Sequence, residues 1–394
     1  MHPPVPATRL ATFYLAYYAA LGAFTPYWSL FLKARGQDIA AISVLMSLWY
    51  ATRVVAPSSW SWLASKSKSP VRWLRIGCVI TLASFAVFVV PLEFGGLFLA
   101  MCVFCFAYNA VMPQFEAITL SHLPGRSELY GRIRVWGSIG FIVTASGLGI
   151  LFDHLSILLL PLLMLPIYVA LVASSFANDY LQVAAVDVAA PIGFRKRLLR
   201  PDVLAFFVVA LLAQVSFGPY YTFFSLYLEQ HGYRPSALGA YWAIGVSVEI
   251  AMFFASARVF ARWDATRVLV VALASAALRW WATALYPDNV PLMAVAQVTH
   301  ALNFAAFFAA CMQLLVRYFP GRLNGHAQGL YYGFSSGVGG VIGALLAGWL
   351  WKFDGGRLSF LVAGGVAAVA AVIAFVMLRS PRPTIDLMSD STQA

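Results

Sequence analysis

The segment Ser29-Leu30-Phe31-Leu32, followed by Gly36, recurs 196 residues later as Ser225-Leu226-Tyr227-Leu228, followed by Gly232. A second segment, Pro124-Gly125-Arg126, recurs with the same offset as Pro320-Gly321-Arg322. Two separate matches at one offset indicate an internal repeat. The chain is therefore predicted to contain two similar halves.

The amino-acid composition is that of a membrane protein. Of the 394 residues, 61% are hydrophobic and 10% are charged, whereas a soluble domain carries about 25% charged residues. A water-soluble fold of this size could not cover its surface with so few polar groups. Residues 80–92 and 155–178 contain no Lys, Arg, Asp or Glu, and a helix of about 20 such residues spans a bilayer.

The chain length fits twelve transmembrane helices, six in each half. The predicted fold is an all-α membrane protein of two pseudo-symmetric six-helix bundles, at 1–179 and 201–394, joined by a cytoplasmic linker at 180–200. Parallel repeats of this kind are typical of the major facilitator superfamily, in which the substrate site lies between the halves near mid-bilayer. The predicted spans are 8–33, 38–64, 72–92, 94–122, 127–152, 155–177, 202–230, 235–260, 266–286, 289–318, 323–351 and 356–379.

The basic residues predict the orientation of these spans. The N-terminus, the even-numbered loops and the C-terminal tail hold 19 Lys and Arg, against 5 in the odd-numbered loops. Because cytoplasmic loops are rich in basic residues, both termini are predicted to lie in the cytoplasm. This placement also accounts for the net charge of +11, so no nucleic-acid partner is expected. Nothing in the sequence indicates an oligomer, and a monomer is expected.

Motifs of catalysis are missing from the sequence. There is no nucleophile elbow, no HExxH, no phosphate-binding loop and no Cys/His metal spacing, so neither an enzyme nor a metal site is predicted. The expected ligand is a small molecule, and the proton is the expected coupling ion in place of a cofactor. A channel or a non-transporting sensor is a further alternative, although paired intramembrane charges and two similar halves favour alternating access.

Four charged residues, Arg53, Glu116, Glu249 and Arg279, fall inside predicted spans. Each costs at least ~2.5 kcal/mol at the bilayer centre, and such groups usually face a cavity and pair with each other. The repeat offset relates Arg53 to Glu249, so these opposite charges are predicted partners across or beside a central cavity. The alternative is an ion pair that only fixes helix packing.

Other polar residues extend this set. Arg134 begins the fifth helix, and Asn109 lies two helical turns before Glu116 on the same face. His300 lies in the tenth helix and is either a titrating group or a packing residue. Arg53, Arg134 and Arg279 outnumber the two glutamates by one, a surplus that suits an anionic substrate.

Small and aromatic residues are also patterned along the spans. Glycines at 325, 329, 333 and 337 line one face of the eleventh helix, which predicts close helix packing and its use in rocking. Deep aromatic residues, among them Tyr18, Trp28 and Tyr221, are candidates for lining the cavity or for filling the core.

The segments 112–117 and 130–138 resemble the fourth and fifth helices of the lactose-permease-like branch of the superfamily. This resemblance implies that Glu116 and Arg134 contact the substrate and that Asn109 lies in the cavity. Phe141 falls where that branch has a tryptophan that stacks on the sugar. The resemblance is closer still to the bacterial 3-phenylpropionate transporter group, through residues 25–29, 130–138, 241–249 and 278–280.

The second resemblance implies proton-coupled symport of an aromatic carboxylate such as 3-phenylpropionate, with a sugar or a nucleoside as the alternative solute. The chain departs from the lactose-permease pattern at Asn303, where that pattern has a proton-carrying glutamate after His300. Glu249 is therefore the candidate proton carrier, tuned by Arg279 and His300, because burial in an apolar span favours the neutral form of a carboxyl group. The usual charged loop after the second helix also lacks its acidic residue, at 64–68.

Overall fold

A computed structural model of the protein describes residues 5–67, 69–124, 126–179 and 193–378. Within these ranges the chain forms twelve long helices in the predicted order, and no strand. Two bundles of six helices result, which is the predicted fold. The helices are α1 Ala7–Ala34, α2 Ile39–Ser65, α3 Val71–Val89, α4 Phe94–Ser121, α5 Glu128–Phe152, α6 Ile157–Phe176, α7 Pro201–Gln230, α8 Pro235–Arg262, α9 Ala265–Leu285, α10 Val290–Tyr318, α11 Leu323–Asp354 and α12 Arg357–Met377.

The helices differ in how much they face lipid. The eleven helices α2 to α12 are long and apolar enough to cross a membrane. Helix α1 has 28 residues, which is also long enough, but it is richer in tyrosine and most of its residues are buried by α5, α6 and α7. A helix enclosed by protein needs less apolar surface than one that faces lipid. The first span is therefore an interior helix of the bundle.

The repeat is visible in the backbone. Gly36 follows α1 with φ 80°, and Gly232 follows α7 with φ 79°. This left-handed conformation is accessible to glycine without strain, which explains why the repeat keeps glycine at both turns. Gly22 and Gly218, again one offset apart, bring helix backbones into contact: Gly22 meets Phe141 of α5, and Gly218 meets Gly343 of α11.

Three helices depart from regular α geometry in their interior, whereas α3 and α6 have only a short 3-10 segment at one end. Helix α7 is interrupted at Phe217, and α10 and α11 contain π-helical segments at Ala301–Ala306 and Tyr331–Val338. Backbone irregularity at membrane depth is tolerated where other protein groups or a cavity satisfy it, and π segments often occur at functional sites. All three irregular segments belong to the C-terminal half.

We call the end of the bundle that holds the start of α1 and the even-numbered loops the basic end, and the other the opposite end. The halves meet through α2 with α11 and α5 with α8. At the opposite end this contact is close, because a Cβ at Gly348 would strike Ser43. Toward the basic end a Cβ added at Gly131 of α5 would meet no atom of another helix within 4 Å. The halves are thus closed together at the opposite end and separated at the basic end.

The glycine face of α11 follows this division and corrects one expectation. A Cβ added at Gly325, Gly329 or Gly333 would meet no atom of another helix within 4 Å, so close helix packing is absent there. It begins at Gly337, which lies against Val54 of α2, and continues at Gly340 against Tyr50. The open glycines are the ones nearest the basic end, where the two halves have separated.

Most of the predicted linker, residues 180–192, lies outside the described residues, so the domain boundaries stay a prediction. The described remainder forms a short basic helix, Phe194–Leu198. Arg197 donates to the carbonyl oxygen of Tyr318 at 3.2 Å, and the ring of Phe194 lies 5.2 Å from that of Phe319. These contacts fix the helix against the basic end of α10.

Candidate functional site

Glu116 of α4 and Arg134 of α5 are brought together in the N-terminal half. The hydroxyl of Tyr130 donates to Glu116 Oε2 at 2.9 Å, and Arg134 Nε lies 3.9 Å from Glu116 Oε1. The guanidinium group of Arg134 lies over the ring of Tyr18, 3.9 Å from its centroid. A Cβ at Gly137 would strike both of these groups, so glycine makes room for the stack. The side chains of Glu116 and Arg134 are 27% and 29% exposed, so both are accessible to a solute.

Two further candidate residues, Arg53 of α2 and Asn109 of α4, contact each other, a pairing that was not predicted. Asn109 donates from Nδ2 to the Trp49 carbonyl oxygen and to Thr52 Oγ1, both at 2.9 Å, which fixes its amide. Its Oδ1 accepts from Arg53 Nε at 3.4 Å. The Arg53 guanidinium also lies 5.4 Å from the Trp49 ring centroid and 5.6 Å from that of Tyr50. Arg53 is thus a half-buried cation held by an amide and aromatic rings, with no ion pair to a described carboxylate.

The C-terminal half holds a different kind of cluster, on α7, α9 and α10. Arg279 is 2% exposed, and its Nη1 lies 2.9 Å from His300 Nδ1. Its Nη2 donates to Gln297 Oε1 at 2.7 Å, and the same oxygen accepts from the Tyr220 hydroxyl at 3.1 Å. The guanidinium carbon lies 4.3 Å from the Tyr220 ring centroid and 4.7 Å from that of Trp280. No described carboxylate pairs with this buried cation.

Asn303 does not belong to that cluster. Its Nδ2 donates to the carbonyl oxygen of Ala272 in α9 at 3.1 Å, and its Oδ1 lies 3.4 Å from Thr299 Oγ1. The side chain is 1% exposed and ties the π segment of α10 to α9. The position where the lactose-permease pattern has a glutamate therefore serves here as a neutral packing contact.

Glu249 of α8 is half-buried and makes no hydrogen bond or ion pair with a described residue. It interacts electrostatically with Arg134 and Tyr18, which belong to the N-terminal half. One turn earlier on α8, Gly245 packs against the ring of His300. Glu249 thus lies between the two charged clusters, near the interface of the halves.

The predicted ion pair between Arg53 and Glu249 is not among the ion pairs of the described residues. Arg53 is held by Asn109 instead. The reason is the arrangement of the helices, since α2 packs on α11 whereas α8 packs on α5. Positions related by the repeat are equivalent in their own halves, but they are not neighbours unless both lie close to the symmetry axis.

The four predicted aromatic residues divide into two groups. Tyr18 and Tyr221 are half-buried, and both interact electrostatically with Glu249. Trp28 is fully buried among the rings of Phe24, Phe31, Phe85 and Phe88, so the structure places it in the core of the N-terminal half. Phe141 is 6% exposed in the contact of α1 with α5 and is also a core residue.

The predicted site residues did not include Thr52, Tyr130 or Gln297, and Tyr220 was predicted only as one of the deep aromatic residues. The sequence could have indicated Gln297, because it precedes His300 by one helical turn and lies on the same helix face. Tyr130 of α5 contacts Glu116 of α4, and Tyr220 of α7 contacts the cluster of Arg279 and Gln297 on α9 and α10. Because these contacts join different helices, spacing along the chain does not reveal them.

A two-bundle helical membrane protein with charged residues inside its spans, divided between the halves, belongs to the class of transporters and not of enzymes. The comparison with protein families agrees, since the model of the MFS_1-like family matches residues 7–362. The chain belongs to this family and is a secondary transporter of the major facilitator type.

Similar proteins transport different solutes. The chain is 25% identical over 371 residues to a probable 3-phenylpropionic acid transporter of Escherichia coli K12, covering 90% of this chain and 93% of the relative. It is 26% identical over 390 residues to the maltose permease of Geobacillus stearothermophilus, covering 94% of each. The crystal structure of the nucleoside transporter NupG superposes with a TM-score of 0.83 at 16% identity, covering 95% of this chain and 99% of NupG. The last similarity concerns the fold alone.

Proposed function

We propose that the protein is a proton-coupled symporter of an aromatic carboxylate such as 3-phenylpropionate, in a bacterial inner membrane with both termini in the cytoplasm. The observation that carries this proposal is the setting of Arg53. Its half-buried guanidinium has no described carboxylate partner and is bordered by the rings of Trp49 and Tyr50. A carboxylate would pair with the cation, and an aromatic ring would pack on the side chains beside it.

The other intramembrane arginines suit this role less well. Arg134 has a carboxylate neighbour in Glu116, and Arg279 is 2% exposed behind Tyr220 and Trp280. Arg134 and Glu116 are both partly exposed, so they are proposed to line the solute site together with Tyr18 and Tyr221, facing the ring end of the solute and any hydroxyl group that the ring carries. Arg53 is proposed to bind its carboxylate, and Asn109 is proposed to hold the Arg53 guanidinium in place in the cavity.

Glu249 is the proposed proton carrier. It is a half-buried carboxyl group without a hydrogen bond or ion pair to a described residue, near the interface of the halves. Such a group is readily protonated, and a nearby arginine favours release of the proton. Arg279 and His300 are proposed to influence the protonation of Glu249, because the His300 ring packs against Gly245, one turn before Glu249 on α8. The proton is then the coupling ion, and no cofactor is required.

With the basic loops in the cytoplasm, the conformation described here is inward-facing. The separated glycines of α5 and α11 would border the cytoplasmic opening, and the closed opposite end would face the periplasm. Transport would proceed by rocking of the halves about the site between them.

The test is uptake of labelled 3-phenylpropionate into proteoliposomes, with and without an inward proton gradient. Saturable uptake that rises with the gradient is expected. Uptake that is saturable but indifferent to the gradient would remove the proton coupling, and the absence of uptake would remove the carboxylate assignment.

A sugar or a nucleoside is the second candidate, because one relative is a maltose permease and Glu116 with Arg134 could bind hydroxyl groups. Competition separates the candidates. Unlabelled maltose and uridine should leave the uptake of labelled 3-phenylpropionate unchanged, whereas benzoate-type carboxylates should inhibit it.

A further inference from the structure

Tyr27 bridges the two halves at the opposite end of the bundle. Its ring is fully buried, and its hydroxyl donates to the carbonyl oxygen of Ala145 in α5. The same hydroxyl lies 3.5 Å from the carbonyl oxygen of Pro235, the first residue of α8. Because α1 and α5 belong to one half and α8 to the other, one side chain touches both halves at once.

Two glycines form a socket for this hydroxyl. A Cβ at Gly149 of α5 would strike the Tyr27 hydroxyl and the Pro235 carbonyl oxygen. A Cβ at Gly239 of α8 would strike the same hydroxyl and the Ala145 carbonyl oxygen. Any side chain at either position would therefore push α5 and α8 apart. The tyrosine fits only while the two helix backbones lie in contact, as they do in this conformation.

Two polar contacts accompany the socket. The carboxylate of Asp153, just after α5, accepts from the backbone N–H of Ser236 at 3.0 Å. N–H groups in the first turn of a helix have no partner within that helix, so an acid from the other half satisfies one of them and meets the positive end of the α8 dipole. Lys33 of α1 pairs with Glu229 of α7 at 2.8 Å, and these positions are 196 residues apart. This pair links repeat-equivalent positions across the two halves.

We propose that Tyr27, held between Gly149 and Gly239, is the latch that keeps the opposite end closed, with the Asp153 and Lys33 contacts as smaller supports. The ranking follows from exposure. Lys33 and Glu229 are 47% and 43% exposed, and ion pairs open to water contribute little. The Tyr27 contact is buried where the backbones of α5 and α8 meet, so water does not screen it. The proposal rests on the alternating-access part of the proposed function and is independent of the solute.

The test measures the distance between the halves directly. Spin labels are attached at Ala34→Cys and Gln230→Cys, two exposed positions related by the repeat at the ends of α1 and α7. The native Cys78, Cys102, Cys105 and Cys311 are first replaced by alanine. Double electron–electron resonance is then recorded in proteoliposomes at neutral pH, with no solute and no gradient. The parent protein should give one short distance.

Tyr27→Phe should enlarge the population with a longer distance roughly fivefold, because it removes the hydroxyl that contacts the Ala145 carbonyl oxygen in one half and the Pro235 carbonyl oxygen in the other. Gly239→Ala should enlarge it further. Lys33→Gln should change the population with a longer distance by about twofold or less. The exchanged pair Lys33→Glu with Glu229→Lys should restore the distance distribution of the parent protein.

Matched controls keep the test specific. Tyr233→Phe also removes a tyrosine hydrogen bond at this end, to the Pro287 carbonyl oxygen, but within one half. Lys352→Gln also removes an exposed lysine at this end. Both should leave the distance unchanged. If Tyr27→Phe, which preserves the fold most closely, changes the distance no more than Tyr233→Phe does, the latch assignment is overturned, whatever the transported solute is.

Discussion

The two halves hold their intramembrane cations in opposite ways. In the N-terminal half Arg53 and Arg134 are partly exposed, one beside an amide and one beside a carboxylate. In the C-terminal half Arg279 is buried with neutral partners, His300 and Gln297. An exposed cation can meet a solute directly, whereas a buried one acts only on its neighbours. We infer that the N-terminal half binds the anionic solute and that the C-terminal half binds and releases the proton.

Glu249→Gln tests this division with the largest expected effect. A glutamine cannot release a proton, so gradient-driven accumulation should be abolished while exchange of labelled for unlabelled solute across the membrane continues. Uptake and counterflow in proteoliposomes measure the two activities. Asp288→Asn, an exposed acid in the same half, is the control and should leave both intact. Accumulation that survives in Glu249→Gln would take the proton away from this residue.

Arg53→Gln tests the solute-binding role of the N-terminal half. A hydrogen bond to a charged group contributes about 1.5–3 kcal/mol, so the KM for the carboxylate should rise roughly 10- to 100-fold. Arg53→Lys should recover part of the loss, because lysine keeps the charge but not the planar fork. Concentration dependence of initial uptake gives the KM. Arg72→Gln, an exposed basic residue in the same half, is the control, and a KM as low in Arg53→Gln as in this control would exclude carboxylate binding at Arg53.

Tyr130→Phe sharpens the comparison within the N-terminal half. Loss of the 2.9 Å hydrogen bond leaves Glu116 Oε2 without its donor. If the Glu116–Arg134 arrangement contacts the solute, the KM should rise about three- to tenfold, since a single hydrogen bond contributes about 1 kcal/mol. Tyr286→Phe, at an exposed tyrosine, should be neutral. An unchanged KM with a lowered melting temperature would show instead that the pair only holds α4 and α5 together.

The smallest effect is expected from lowering the pH, which acts on the contact of Asp153 with the other half. Hydrogen bonds from Ser236 hold the pKa of Asp153 below its ordinary value. The contact therefore contributes fully above the ordinary carboxyl pKa, near ~4, and is lost as the pH falls through the lowered pKa. In the spin-labelled protein the short distance should persist from pH 7 to about pH 4 and should lengthen slightly below that. Asp153→Asn should weaken this pH dependence without abolishing it, because the Lys33–Glu229 pair at the same end also requires a charged carboxylate. A transition in the parent at pH 6 would contradict the assignment.

The sequence pattern was sufficient to predict the helix bundle but not the contacts within it. The predicted tenth span, 289–318, agrees with α10 at Val290–Tyr318, because a helix long enough to cross a bilayer must be continuously apolar. Trp28, by contrast, was grouped with possible cavity residues and lies in the core. Inward and outward faces of a membrane helix are both apolar, so composition does not tell which face meets a cavity.

The sequence by itself determined that the chain spans the membrane about twelve times in two related halves, and it named Arg53, Glu116, Glu249 and Arg279 as the costly charges. These conclusions depend on local properties: apolar length, the repeat offset and the price of charge in lipid. Only the tertiary structure decided the partners: Asn109 for Arg53, Gln297 and His300 for Arg279, and Tyr27 as a bridge between the halves. Each of these contacts joins separate helices, and their rotation and separation are set by packing across the whole bundle.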